Sequence, residues 1–167
     1  MPGTSSSYVD AAYADSYFSV YGNAEWPGLN NEQKGAALAS ATQFIDNIAR
    51  GKWKGKKTDP AQALAWPRTG ATDEDGAQIG ADVIPDAVKN AVCEAAVRIS
   101  QGEDLMEDTT PAVASESVAG AVSISYFGGV DNVTNHRKIY SLLRGLVTTE
   151  LGGSQKSGSV TLLKKMS

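Results

Sequence analysis

Four stretches of the chain repeat apolar residues at three- and four-residue steps, and each is bounded by residues that start or stop a helix. In the first, residues 10–21, Asp10 is placed to cap the helix, Ala11, Tyr17, Phe18 and Tyr21 give it an aromatic face, and Gly22-Asn23 ends it. The second is capped by Asn30 or Asn31, repeats through Leu38, Ala41, Ile45 and Ile48, and ends near Arg50, ahead of Gly51. The third opens at Pro85, a residue suited to a first helical turn, and carries Val88, Val92, Ala95, Ala96 and Ile99 as a stripe that stops before Gly102. Its alanines predict close packing on another helix. The fourth spans about 135–151, with Ile139, Leu142, Leu143, Leu146 and Val147 on one face and Gly152-Gly153 beyond its end.

Between the third and fourth helices the period drops to two. Val122, Ile124 and Tyr126 alternate with Ala121, Ser123 and Ser125, which predicts a strand within 118–127 and a hairpin partner at 113–118 across Ala119-Gly120. Residues 51–84 show neither period. Asp59-Pro60, Trp66-Pro67 and Asp75-Gly76 each demand turn or extended geometry, so a long ordered loop is expected, with one helical turn at 61–64 and with Trp53 and Trp66 as its pins. The expected fold is mainly α: a small bundle of about four helices, with long loop 51–84 and an inserted β-hairpin at about 113–127, filling a domain of residues 1–151. Residues 152–167 read as an extended C-terminal tail. Gly152 to Ser159 form a spacer, Val160, Leu162 and Leu163 an apolar patch, and Lys164-Lys165 a basic end.

The chain has 167 residues, enough for one core and too few for two full domains. With 41% apolar and 20% charged residues it should fold, and its net charge of −4 excludes a surface wholly given to nucleic acid. DNA contact would have to be local. Cys93 is the only cysteine, which excludes an intrachain disulfide and a cysteine zinc site, and points to a reducing compartment and to maturation in cytoplasm. The N-terminus has no signal-peptide pattern, and no apolar run approaches the roughly 20 residues of a membrane span, so a soluble protein with no membrane partner is expected.

Catalytic and metal chemistry find little support. His136, the only histidine, sits among polar residues at a helix start and reads as a capping or solvent-facing side chain. Asp73-Glu74-Asp75-Gly76 and the pair Asp104, Glu107 continue into no calcium-loop pattern, and Gly128-Gly129 has no phosphate-loop surroundings. Cys93 lies on the apolar stripe of the third helix as a small hydrophobe. No enzyme activity, cofactor or metal is expected. The concentrated feature is the basic run Arg50, Lys52, Lys54, Lys56 and Lys57, interleaved with Trp53 and joined by Arg68. It suits phosphate contact with base stacking. It suits still better solvated lysines beside tryptophans that anchor the loop, and a third option is contact with an acidic protein partner.

The run Trp53-Lys54-Gly55-Lys56-Lys57-Thr58-Asp59-Pro60, followed by Gln62-Ala63-Leu64-Ala65-Trp66-Pro67-Arg68-Thr69-Gly70, resembles the signature of a phage protein family often labelled "DnaT-like ssDNA-binding protein". The resemblance extends to Ser16-Tyr17-Phe18 with Trp26, to Ala41-Thr42 with Ile45-Asp46, and to the segment 84–94, so it covers most of residues 8–100. Members of that family resemble the head-tail connector (adaptor) proteins of tailed phages. On that resemblance the chain is expected to be a structural virion protein of the neck, a homo-oligomeric ring of about twelve subunits, a dodecamer, bound to the portal protein and to a tail-side neck or tail terminator protein, and giving passage to genomic DNA. Arg50, Lys52, Trp53, Lys54, Lys56, Lys57 and Arg68 would face the DNA lumen or a neighbour, and Val160, Leu162, Leu163, Lys164 and Lys165 would dock on the portal. The alternative expectation is a single-stranded DNA-binding protein of phage replication that uses Lys52, Trp53, Lys54, Lys56 and Lys57. Oligonucleotide affinity that falls with salt separates the two.

Overall fold

The computed structural model describes residues 6–105, 113–117, 123–126, 136–149 and 151. Helix α1 (Ala11–Tyr21) starts where the Asp10 carboxylate accepts the Tyr13 N–H at 2.8 Å, satisfying a donor that has no partner within the helix. Helix α2 (Asn31–Ile48) opens with a reciprocal cap: the Asn30 side chain accepts from the Gln33 N–H at 2.9 Å, and the Gln33 side chain accepts from the Asn30 N–H at 3.0 Å. Helix α3 (Asp86–Ser100) follows Pro85 and buries Val88, Ala91, Val92 and Ala95 completely. It is the centre of the bundle. Helices α2 and α4 (Arg137–Leu143) pack along it, while α1 touches both α2 and α3. Full burial of each α3 valine contributes about 2 kcal/mol.

Two polar knots tie the bundle together. Between α1 and α2 a short 3-10 turn (Trp26–Gly28) buries Trp26, whose Nε1 donates to Asp15 at 2.8 Å; the Lys34 ammonium reaches the same oxygen at 2.8 Å and holds that carboxyl below its usual range. On α3, buried Glu94 accepts from the Tyr17 hydroxyl of α1 at 2.7 Å and from Lys138 of α4 at 2.6 Å, so one carboxylate spans three helices.

The long loop contains a small ladder that the hydrophobic pattern did not reveal. Strands β1 (Lys56–Lys57) and β2 (Arg68–Thr69) pair antiparallel, with Lys56 opposite Thr69 and Lys57 opposite Arg68. The helical turn expected at 61–64 is absent. A turn closed by Gln62 N–H to Asp59 C=O at 3.1 Å stands there instead, because the Asp59 side chain takes the Ala61 N–H at 2.8 Å and bends the chain early. A second antiparallel pair, β3 (Val113–Ser117) with β4 (Ser123–Tyr126), forms the hairpin between α3 and α4, Ser117 lying opposite Ser123. Its turn at Ala119-Gly120 and the tail 152–167 lie outside the described residues. The fold is thus mainly α with a small hairpin. Among the described residues no helix is long and apolar enough to cross a membrane.

The fourth helix is shorter than its periodicity suggested. After Leu143 it tightens into a 3-10 turn (Arg144–Leu146), and Val147 leaves it to bridge Trp53. The cause is tertiary. Lys54 N–H takes the Leu146 carbonyl at 3.0 Å and Thr148 N–H donates to the Lys52 carbonyl at 2.7 Å, so the incoming loop removes the groups that a further α turn would need. Gly145 permits this approach, since a Cβ there would stand 2.9 Å from the Glu74 Cβ.

Candidate functional site

The basic run begins where α2 ends and is strapped to the segment that follows α4. Residues 52–54 pair with 146–148 through the bonds just described, and the Thr148 hydroxyl adds a second donor to the Lys52 carbonyl at 3.0 Å. Strapping drives the Trp53 ring inward, where it meets Trp66 edge to face at 5.7 Å. Trp53 is 7% exposed and Trp66 2%. Neither ring presents a face on which a base could stack, and both indole N–H groups are buried without a hydrogen-bond partner among the described residues. At Gly55 the chain turns with φ +70° and passes so close to the returning strand that a Cβ would lie 2.5 Å from the Thr69 carbonyl oxygen.

That strapping sorts the cations into two groups. Arg68 spends its guanidinium on three backbone carbonyls: Lys54 at 2.8 Å, Gly55 at 2.7 Å and Ala65 at 3.1 Å. Lys54 reaches inward to the carbonyls of Gly145 at 2.7 Å and Asp73 at 3.2 Å, and Lys57 closes the 57–62 turn on the Gln62 carbonyl at 2.9 Å. These groups hold the loop's shape. Lys56 points to solvent, and exposed Arg50 lies along α2 with Nη2 on the Asn47 side chain at 2.7 Å. Lys52, half-buried, sits between them in the chain.

The other residues of the 53–70 run are also explained from within. The Gln62 side chain accepts from the Asp59 N–H at 3.0 Å and donates to the carbonyls of Leu64 at 2.9 Å and Pro67 at 3.0 Å, while Thr58 N–H reaches the Pro67 carbonyl at 3.2 Å. The Trp66–Pro67 peptide is cis. One functional position was not singled out as a site from the sequence: Asp46 on α2. It accepts the Tyr8 hydroxyl and, at 2.9 Å, the Ala65 N–H, while Tyr8 accepts the Trp66 N–H at 3.1 Å. N-terminal segment, helix and loop are pinned at one carboxylate. Burial raises the Asp46 carboxyl against the lowering pull of those donors and of the Lys57 and Arg68 charges. An acid beside Ile45 at the inner edge of an amphipathic helix was the available signal.

Beside this pin runs a groove of about 450 Å³ between one face of α2, carrying Gln43, Asp46 and Asn47 with Arg50 just beyond the helix end, and the turn at Ala63-Leu64. His136 takes up neither expected role. It precedes α4 without a capping bond and packs against Phe44 at 5.3 Å and Tyr140 at 6.0 Å, its Nδ1 buried and without a partner among the described residues. Burial, then the Arg98 charge, holds it below its ordinary value. The Cys93 thiol, fully buried on α3, is pushed up to about 12 by burial. Among the described residues no cluster of His, Cys, Asp and Glu is placed to hold a metal. Val160, Leu162, Leu163, Lys164 and Lys165 lie outside the described residues.

A protein-family model described as "Putative DnaT-like ssDNA binding protein" matches residues 2–165. No curated protein and no solved structure matches the chain. The family match overturns the head-tail connector identity, and with it the expected structural virion role in the neck as a portal-binding dodecameric ring. Its description names DNA binding. Contact with DNA is consistent with that description; the alternative expectation, single-stranded DNA binding, fits it better than the connector did.

Proposed function

Because the chain belongs to the DnaT-like ssDNA binding protein family, we propose that it is a non-enzymatic protein that binds single-stranded DNA without sequence preference and serves phage replication in the host cytoplasm. The observation that carries this reading is the family match across residues 2–165, which spans the whole basic run. The geometry supports a division of labour within that run. Arg50 and Lys56, both exposed, with half-buried Lys52 between them in the chain, meet the phosphates, while Lys54, Lys57 and Arg68 hold the loop. Contact confined to this strip reconciles DNA binding with a net charge of −4.

The test is fluorescence anisotropy with labelled single-stranded and duplex oligonucleotides over a salt series. Binding through these three cations gives a slope of log affinity against log salt of about −2 on single strands. Combined Arg50→Glu and Lys56→Glu substitution should reduce that slope by about 1.4 and leave the fold intact. Affinity that ignores salt, or a double variant with the parent slope, contradicts the reading.

A further inference from the structure

The groove beside Arg50 has a polarity that the basic run does not explain. Gln43 stands three and four residues before Asp46 and Asn47, and Arg50, just past the end of α2, three and four residues after Asn47 and Asp46, so they line one side of the groove, and Ala63-Leu64 form the opposite wall. Asp46 cannot swing away, because the Tyr8 hydroxyl and the Ala65 N–H fix both its oxygens, each of which keeps a further lone pair. Exposed Gln43 makes no hydrogen bond to any described residue and can both donate and accept. Among the described residues of the lining Arg50 is the only cation, and it belongs to the exposed group of the basic run.

Charge then decides what fits. A phosphate inside would face the fixed carboxylate, whereas a neutral ring bearing amino or imino N–H groups would find an acceptor in Asp46, an adaptable amide in Gln43 and carbon surface on Ala63 and Leu64. A volume of about 450 Å³ admits one such ring with part of its sugar. We propose that this groove is a nucleobase subsite: one unpaired base enters against Gln43 and Asp46 while its phosphate stays outside on Arg50. The inference rests on the single-stranded DNA reading and adds to it a source of strand selectivity, since a base stacked and paired in a duplex cannot enter.

The experiment uses the full chain and two labelled probes of about twelve nucleotides, oligodeoxycytidylate and an abasic oligomer of the same length. Two charge-neutral variants alter the groove at exposed positions: Gln43→Leu removes the amide and Ala63→Leu fills the space. The parent should prefer the base-bearing probe, and each variant should lower that affinity about three- to tenfold while leaving the abasic affinity and the salt slope unchanged. Equal parental affinity for the two probes, or variants that shift both probes alike or neither, overturns the subsite and leaves phosphate-mediated binding standing. Failure of the parent to bind either probe overturns the DNA-binding reading itself.

Discussion

Arg68 and Lys56 carry the same charge and stand one residue out of register on the same two-stranded ladder, yet they do opposite things. Arg68 turns its guanidinium onto three carbonyls of its own loop, whereas Lys56 makes no such bond and faces water. Lys54 and Lys57 side with Arg68, and Arg50 with Lys56. The difference teaches that a cluster of cations in sequence is not one electrostatic object. Backbone carbonyls left over by an irregular loop need donors, and the cations that supply them are largely withdrawn from any ligand.

Substitutions can break this comparison, most severely where the two halves cross. Gly55→Ala places a Cβ 2.5 Å from the Thr69 oxygen and 2.7 Å from the Ala71 nitrogen at a φ of +70°, so the ladder must open. A loss of about 3 kcal/mol is expected from urea denaturation. Arg68→Ala leaves three carbonyls without their donor and should cost about 2 kcal/mol, and Arg68→Lys should recover only part of that, since one ammonium cannot reproduce the fork. Lys56→Ala should change stability by less than about 0.5 kcal/mol while weakening DNA binding. Equal stability losses at Arg68 and Lys56 would erase the distinction.

The smallest effect concerns pH. His136 is depressed below 6.5, chiefly by burial. The unfolded chain therefore takes the proton first, so the histidine's contribution is fully present above about pH 6.5 and is lost as pH falls toward the lower folded value. His136→Phe removes both the titration and the unpartnered Nδ1. It should raise stability slightly at neutral pH, and its advantage over the parent should widen when urea midpoints are compared at about pH 7.5 and 5. An advantage that does not change with pH would show that His136 does not titrate on unfolding.

What could be read from the chain beforehand follows from the range of the interactions involved. Asp10, Asn30 and Gln33 cap their helices through bonds spanning three residues, so sequence suffices to place α1 and α2. The end of α4 was not legible, because it is set by Lys52 and Lys54, some ninety residues away in the chain. The ladder of β1 and β2 escaped for a related reason: two residues per strand are too few to show alternation. Within the candidate site, the cation cluster and the anchoring tryptophans stood out, but the sorting of the cations depends on where the carbonyls of Gly145, Asp73 and Ala65 fall in space. The groove was not read from the sequence, since one of its walls belongs to a turn with no period.

Lysine acetylation read by mass spectrometry, with and without a single-stranded oligonucleotide, tests the division most directly. Lys56 should react readily in the free protein and be protected by DNA, while Lys54, held on the Gly145 and Asp73 carbonyls, should react slowly in both states. Equal reactivity of the two lysines in the free protein, or a Lys56 that DNA does not protect, would contradict the division between cations that build the loop and cations that bind the strand.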